Sequence, residues 1–166
     1  MNEAEFVRCY DDCSDALFRH CYFRVFERER AKDLVQEAFT RTWDYARRGK
    51  RIDNAKAFLY RVLNNLIIDE SRKHREVSLE ALAEEKGFDP GEDLRQHLAD
   101  VIQVKGMLQV LNRLRSDQRE LIVMRYVDGF GPKEIAEVLG VRENVISVRL
   151  HRAMHEFRTF IKLHEG

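Results

Sequence analysis

Residues 132–151 are the segment that most restricts the possible folds of this chain. Apolar side chains recur there at helical spacing on both sides of Gly140, a residue suited to the left-handed conformation at the end of a helix. Pro132 is suited to the first turn of a helix, where an amide hydrogen would have no partner. Ala136 is small enough for a second helix to cross closely over it, and Ile146 falls where that second helix would pack. The spacing predicts two helices joined by a tight turn, a helix-turn-helix.

The second of these helices carries a run of polar and charged side chains on its predicted outer face. Two amphipathic helices joined by a glycine turn also occur as ordinary core hairpins, so the pattern has two interpretations. The fixed spacing of the buried positions and the outward-facing run together favour a helix that reads bases in the major groove of DNA. The candidate DNA contacts are Arg142, Glu143, Asn144, Ser147, Val148, Arg149, His151 and Arg152.

Helical periodicity extends over almost the whole chain, which predicts an all-α fold. Proline occurs only twice, and alternating β-branched residues are scarce. The pattern predicts two small helical domains, at 1–76 and 101–166, the second a winged-helix-like helix-turn-helix domain without a wing. Residues 77–100 are acidic and interrupted by glycine and proline, which is typical of a flexible linker. In the second domain, Asp117 followed by Glu120 predicts a capping box at the start of a helix.

Charge is unevenly distributed along a chain whose net charge is zero. Residues 41–75 contain ten basic and four acidic side chains, whereas residues 76–100 contain two basic and eight acidic ones. Basic residues prevail again after residue 141. This asymmetry predicts two regions that face nucleic acid, separated by an acidic spacer.

The sequence lacks the signals of a membrane protein and of the common enzyme classes. No apolar run approaches the length needed to span a bilayer, and the N-terminus lacks the basic start and apolar stretch of a signal peptide. We therefore expect a cytoplasmic protein without direct membrane insertion. There is no glycine-rich phosphate loop, nucleophile elbow or carboxylate cluster in an evident pocket, so we expect neither enzymatic activity nor a cofactor.

The three cysteines have two interpretations. Cys9 and Cys13 fall on one face of a predicted helix, and Cys21 follows two turns later. Thiolates bind zinc well, so a metal or redox-sensing role is conceivable. Their positions among periodic apolar residues favour the other interpretation, in which they are buried as small hydrophobic side chains and no metal is bound.

Three motifs, in order along the chain, resemble those of the extracytoplasmic-function (ECF) branch of bacterial σ70-type sigma factors. Residues 33–43 resemble the polymerase-binding helix of that family's region 2, and residues 57–69 resemble its helix for −10 recognition and melting. Residues 117–153 resemble region 4, which reads the −35 element. The resemblance implies an alternative sigma factor that binds core RNA polymerase and directs promoter-specific transcription initiation. The alternative is a helix-turn-helix regulator that binds DNA without core polymerase.

The resemblance also implies partners and site residues. The partners would be core RNA polymerase, at its β′ coiled-coil and β flap, promoter DNA, and a cognate anti-sigma factor. The residues implied to bind the β′ coiled-coil are Asp33, Gln36, Glu37, Phe39 and Trp43, although Phe39 and Trp43 could instead be core residues. The residues implied at the −10 DNA are Arg48, Lys50, Arg51, Asn54, Lys56, Tyr60, Arg61, Asn64, Asn65, Arg72 and Arg75.

The residue types at the −10 positions suit strand opening, which needs a basic groove and polar or aromatic side chains that hold an unstacked base. Packing could equally explain Tyr60, and a solvated helix face could explain the arginines. For Asn64 and Asn65 we favour a DNA contact, because paired amides in the middle of a helix are poor helix formers. One departure from the family concerns Ser147, which stands where the family often has a lysine. Its presence removes an expected DNA contact.

Overall fold

The computed structural model describes residues 1–73 and 101–166, and this part of the chain contains helices and turns but no strand. The predicted all-α fold is therefore confirmed. The predicted linker at 77–100 and Arg75 lie outside the described residues. No helix in the described ranges is long and apolar enough to cross a membrane.

The first domain is built from three helices: α1 (Glu3–Val25), α2 (Arg28–Arg47) and α3 (Ala55–Lys73). A capping box starts α1, in which the Asn2 side chain accepts from the Glu5 amide and the Glu5 carboxylate accepts from the Asn2 amide, both at 2.8 Å. The three helices pack pairwise around a shared apolar core.

The second domain begins with α4 (Val101–Arg113) and α5 (Ser116–Ile122), and a wider π-helical turn (Val123–Val127) follows α5 directly. The predicted capping box at Asp117 and Glu120 is wrong. The helix starts at Ser116 without a side-chain cap, because Asp117 pairs instead with Arg115 and Glu120 is buried.

The predicted helix-turn-helix is present as α6 (Pro132–Leu139) and α7 (Glu143–Glu165). Gly140 ends α6 with a φ of 68°, the left-handed conformation that a side chain would oppose. Ile135 and Ile146 are completely buried between the two helices. A backbone hydrogen bond of 3.1 Å from Val141 to the Ala136 carbonyl closes the turn.

The two domains pack against each other. α1 contacts α5 and the π-helical turn, and α3 contacts α6. Buried apolar residues run without interruption from one domain into the other. Phe26, which follows α1, lies in this core and is the only non-glycine residue with a positive φ, 60°, in the described ranges. The candidate interfaces therefore lie on a chain whose two domains are in contact.

Candidate nucleic-acid and protein interfaces

The outer face of α2 presents three of the side chains predicted to bind a protein partner. Asp33, Gln36 and Glu37 are all exposed. Glu37 accepts a hydrogen bond of 2.7 Å from Arg41 one turn later, so this face carries both signs of charge. Exposed polar side chains on one face of a helix are available to a partner.

The other two predicted protein contacts belong to an aromatic cluster between α1 and α2. The Phe39 ring is buried, and its centroid lies 6.1 Å from that of Phe6 and 4.7 Å from that of Tyr10. Trp43 is half-buried, with its ring centroid 4.8 Å from that of Phe6. The location of Phe39 supports the packing interpretation, whereas Trp43 retains an accessible edge.

The basic loop between α2 and α3 projects into solvent. Arg48, Lys50 and Arg51 are exposed, and Gly49 adopts a φ of 73° where the chain turns. The Asn54 side chain accepts a 3.0 Å hydrogen bond from the amide of Ala57 and so caps α3, as its position at the loop end suggests. The cap fixes the direction in which the loop enters the helix.

The predicted −10 residues at the start of α3 lie against the second domain. Tyr60 is only 1 % exposed, and its hydroxyl donates to the Asp128 carboxylate at 3.4 Å. Burial and the nearby Asp128 raise the pKa of Tyr60, which keeps the phenol a donor. Lys56 lies over the ring of Phe130, 4.9 Å from its centroid. Arg61 donates to the carbonyl groups at the end of α6.

The two asparagines predicted to contact DNA occupy different environments. Asn64 is buried, and its side-chain oxygen accepts a 2.8 Å hydrogen bond from Arg24, a buried residue of α1. Burial lowers the pKa of Arg24. Asn65 and Arg72 are exposed on the outer face of α3. The helical spacing could not separate the two asparagines, because it does not reveal a buried arginine on a neighbouring helix.

The predicted reading face of α7 is open. All of its candidate DNA contacts are exposed, namely Arg142, Glu143, Asn144, Ser147, Val148, Arg149, His151 and Arg152. The Ser147 hydroxyl donates back to the Glu143 carbonyl at 3.2 Å. Val148 is 53 % exposed, so its methyl groups are accessible on this face.

Three residues important to this arrangement had no sequence signal. His20 and Asp128 are joined by a 2.6 Å contact between Nδ1 and a carboxylate oxygen, and their side chains are 0 % and 1 % exposed. Arg119 donates to the Leu111 carbonyl at 2.8 Å and lies 5.0 Å from the centroid of the Phe26 ring. All three side chains have partners far away in the sequence.

The cysteines are shielded. Cys13 and Cys21 are buried and Cys9 is partly so. Burial raises the pKa of Cys21 to about 12, and burial together with the neighbouring Cys13 raises that of Cys9 to about 12. Thiols with such high pKa values carry little of the thiolate that metal binding and redox chemistry need. In the ranges 1–73 and 101–166, no group of three or more His, Cys, Asp or Glu residues could hold a metal ion.

Solved structures with this fold include a sigma factor RpoE in complex with the anti-sigma factor NepR from Bartonella quintana. The TM-score is 0.72 at 22 % identity, over 95 % of this chain and 97 % of that one. A second is CnrH in complex with the cytosolic domain of CnrY, with a TM-score of 0.69 at 21 % identity, over 98 % of this chain and 90 % of that one.

Sequence comparisons give the family. Residues 9–77 match Sigma-70 region 2, and residues 106–156 match Sigma-70, region 4. The ECF RNA polymerase sigma factor SigL of Mycobacterium tuberculosis is 28 % identical over 94 % of this chain and 89 % of its own length. BldN of Streptomyces coelicolor, also an ECF sigma factor, is 29 % identical over 95 % of this chain and 60 % of its own length. The chain belongs to the σ70 family of RNA polymerase sigma factors, in its extracytoplasmic-function branch, and is an alternative sigma factor for transcription initiation.

Proposed function

We propose that the chain directs core RNA polymerase to promoters through three surfaces on two domains. The first domain, residues 1–76, binds polymerase and the −10 element. The second, residues 101–166, reads the −35 element. The observation that carries this proposal is the pairing, on one chain, of an exposed polar face on α2 with an exposed reading face on α7.

The α2 face supplies the polymerase contact. Asp33, Gln36 and Glu37 offer two carboxylates and an amide to the β′ coiled-coil, and the accessible edge of Trp43 extends the same surface. Complementary charge at such a surface increases the association rate and fixes the register of the two proteins. The β flap is the expected partner of the second domain.

The −10 surface combines the exposed basic loop with the start of α3. Arg48, Lys50 and Arg51 would neutralise backbone phosphates, which gives binding that weakens with salt. Lys56 and Arg61, whose side chains are exposed at the start of α3, would contact the strand beside this loop. Asn65 and Arg72 extend this surface along α3.

The −35 surface is the exposed face of α7. Its N-terminal residues would enter the major groove, where Arg142 and Asn144 are suited to guanine and adenine edges respectively. Ser147 offers a hydroxyl that can contact any base, in place of a positive charge. We therefore expect a −35 preference that differs from those of family members with lysine at this position.

The remaining roles follow from the same proposal. The chain acts as a binding protein and is not itself an enzyme, since polymerase performs the chemistry. Its place of action is the cytoplasm, where polymerase and promoter are. The fold shared with RpoE and CnrH, which were solved with NepR and CnrY, supports a cognate anti-sigma factor as a further partner.

The test is core-dependent transcription. The double variant Asp33→Ala plus Gln36→Ala removes two exposed side chains from α2, so it should abolish run-off transcription and polymerase binding while helical circular dichroism is unchanged. The matched control is Glu156→Ala plus Thr159→Ala, which removes an exposed carboxylate and an exposed hydroxyl from α7 beyond the reading residues. If the wild-type chain shifts promoter DNA but never binds core enzyme, it is instead a DNA-binding regulator and the proposal fails.

A further inference from the structure

The first helix carries exposed apolar side chains beside the face of α2 that is proposed to bind polymerase. Val7 is 51 % exposed and Tyr10 is 44 % exposed. Single exposed apolar residues are common, but two neighbouring ones next to an accessible tryptophan edge form a contiguous patch. We propose that this α1 patch, Val7 and Tyr10, is the apolar centre of the contact with core RNA polymerase, and that the polar side chains of α2 are its rim. The occupant is the same β′ coiled-coil, so the inference rests on the proposed function of α2.

The α1 patch is joined to α2 by aromatic contacts. The Tyr10 ring centroid lies 4.7 Å from that of Phe39, with the planes at 52°. One turn earlier, the Phe6 centroid lies 4.8 Å from that of Trp43, which is half-buried. Phe39 is itself buried, so it supports both helices from beneath and is not available to a partner. Exposed apolar surface therefore lies on both sides of the α1–α2 seam, directly beside the polar face of α2.

A polar face alone is a weak basis for a tight protein contact. Exposed carboxylates and amides contribute specificity and association rate more than affinity. Affinity is concentrated in a few central side chains, tyrosine and tryptophan among the commonest, which are surrounded by a polar rim. Because Phe39 is withdrawn into the core, Tyr10 and Trp43 are the aromatic side chains of this surface that can supply such a centre.

The α1 patch is held in place before a partner arrives. The capping box between Asn2 and Glu5 closes the first turn of α1, and Val7 and Tyr10 lie in the turn that follows. Side chains three positions apart on a helix are neighbours, so these two project on one side. The Tyr10 ring is fixed further by its contact with Phe39. Binding to a rigid patch loses less conformational entropy than binding to a mobile one.

The charge around the α1 patch indicates a basic partner. Residues 3–15 of α1 include five acidic side chains and one basic one. On α2, Glu37 is paired with Arg41, whereas Asp33 has no ion pair in the part of the chain that the structure describes. An apolar patch in an acidic field fits a helical surface with apolar and basic side chains. A second copy of the same surface would bring like charges together, so the charge opposes self-association.

The centre and the rim of this surface should have different kinetic signatures. Loss of a rim charge such as Asp33 mainly slows association and changes its salt dependence. Loss of a central side chain such as Tyr10 mainly accelerates dissociation. A purely structural role for Tyr10 would change the stability of the chain and would leave the dissociation rate of the folded complex unchanged.

The experiment measures binding of the full-length chain to core RNA polymerase by biolayer interferometry, without DNA. Tyr10→Ala should weaken affinity about 30-fold, the loss expected when a central tyrosine of an interface is truncated, and most of the loss should be in the dissociation rate. Tyr10→Phe keeps the ring and should bind within about twofold of wild type. Val7→Lys brings a cation to a basic partner, so it should weaken binding more than Val7→Glu does.

A matched control lies next to the α1 patch. Arg8 is exposed, but it lines the groove between α1 and α3 together with Ala55, away from the α2 side. Arg8→Ala should therefore bind core enzyme as wild type does, and every variant should keep its helical circular dichroism. If Tyr10→Ala fails to fold, Val7→Lys decides, because it replaces an exposed side chain with a good helix former.

The outcomes separate the inference from the proposed function on which it rests. Folded Tyr10 and Val7 variants with wild-type affinity, beside an Asp33 and Gln36 variant that loses binding, would overturn the inference and leave the proposed function intact. Unchanged affinity for core enzyme with a changed sedimentation coefficient would assign the α1 patch to a second copy of the chain, and would also overturn it. A wild-type chain that does not bind core enzyme would contradict the proposed function, and the inference with it.

Discussion

At the scale of single residues, Arg119 makes more hydrogen bonds that hold the fold together than its position in a polar stretch of the sequence suggests. Its guanidinium donates to the carbonyls of Leu111, Asn112 and Leu114 at the end of α4, at 2.8 to 3.1 Å. It also donates to the Arg24 carbonyl in the first domain at 3.3 Å. Burial and the nearby Arg24 lower the pKa of Arg119 to about 10, so it stays charged at neutral pH.

We expect Arg119→Lys to lower the free energy of unfolding by about 2 kcal/mol, because a lysine cannot reproduce several directed hydrogen bonds to buried carbonyls. Urea unfolding followed by circular dichroism measures the change. The control is Arg115→Lys, since that side chain is exposed and its ion pair with Asp117 is solvated. Equal stability of the two variants would contradict this account of Arg119.

The burial or exposure of a single residue can be predicted from the sequence where a periodic pattern of apolar residues determines it. The exposure of Asp33, Gln36 and Glu37 follows from the apolar stripe on the opposite face of α2. The burial of Asn64 could not be predicted in this way, because its partner Arg24 is itself an unexpected buried charge on another helix.

At the scale of elements, the helix-turn-helix depends on the backbone conformation of one residue. A Cβ atom added at Gly140 would meet nothing within 4 Å, so the requirement for glycine there comes only from its φ of 68°. Gly131, at the other end of α6, has an ordinary φ of −77°.

Gly140→Ala should therefore destabilise the chain by about 1 kcal/mol, the cost of a left-handed conformation for a residue with a Cβ atom. Gly131→Ala, the matched control, should leave stability unchanged within about 0.5 kcal/mol, since its φ is accessible to alanine. Comparing the thermal unfolding of the two variants distinguishes the effect of backbone strain from the effect of adding a methyl group. Equal losses in the two would refute the strain argument.

The type of each element could be predicted from the sequence, but the residues at which it begins and ends were harder to predict. The helix-turn-helix and the three helices of the first domain follow from strong 3.6-residue periodicity. The π-helical turn has no such signal, because its wider spacing is set by the Asp128 amide bonding to the Val123 carbonyl and the Phe130 amide to that of Met124. That turn places Asp128 and Phe130 at the domain junction.

At the scale of the whole molecule, the contact between the domains could not be predicted from the sequence. It joins residues more than 60 positions apart, such as Tyr60 with Asp128 and Arg61 with Val138, and no local pattern encodes such pairs. Periodicity predicted two domains and said nothing about their arrangement. The continuous core has a measurable consequence for unfolding.

Trp43 is the only tryptophan and lies in the first domain, so its fluorescence reports on that domain, whereas circular dichroism reports on both. We expect the two urea unfolding curves of the wild-type chain to coincide, because domains that share a core unfold together. In Phe130→Ala the curves should separate. Curves that already differ in the wild-type chain would show that the domains unfold independently.

The contacts of Lys56 and Arg61 with the second domain also limit how this protein can evolve. A substitution at either position that altered DNA binding would, in the same step, alter the contact between the domains. Changes in promoter preference and changes in stability are therefore coupled at these positions. The exposed face of α7, which takes no part in the junction, can vary independently, so new promoter preferences should arise more readily at the −35 element than at the −10 element.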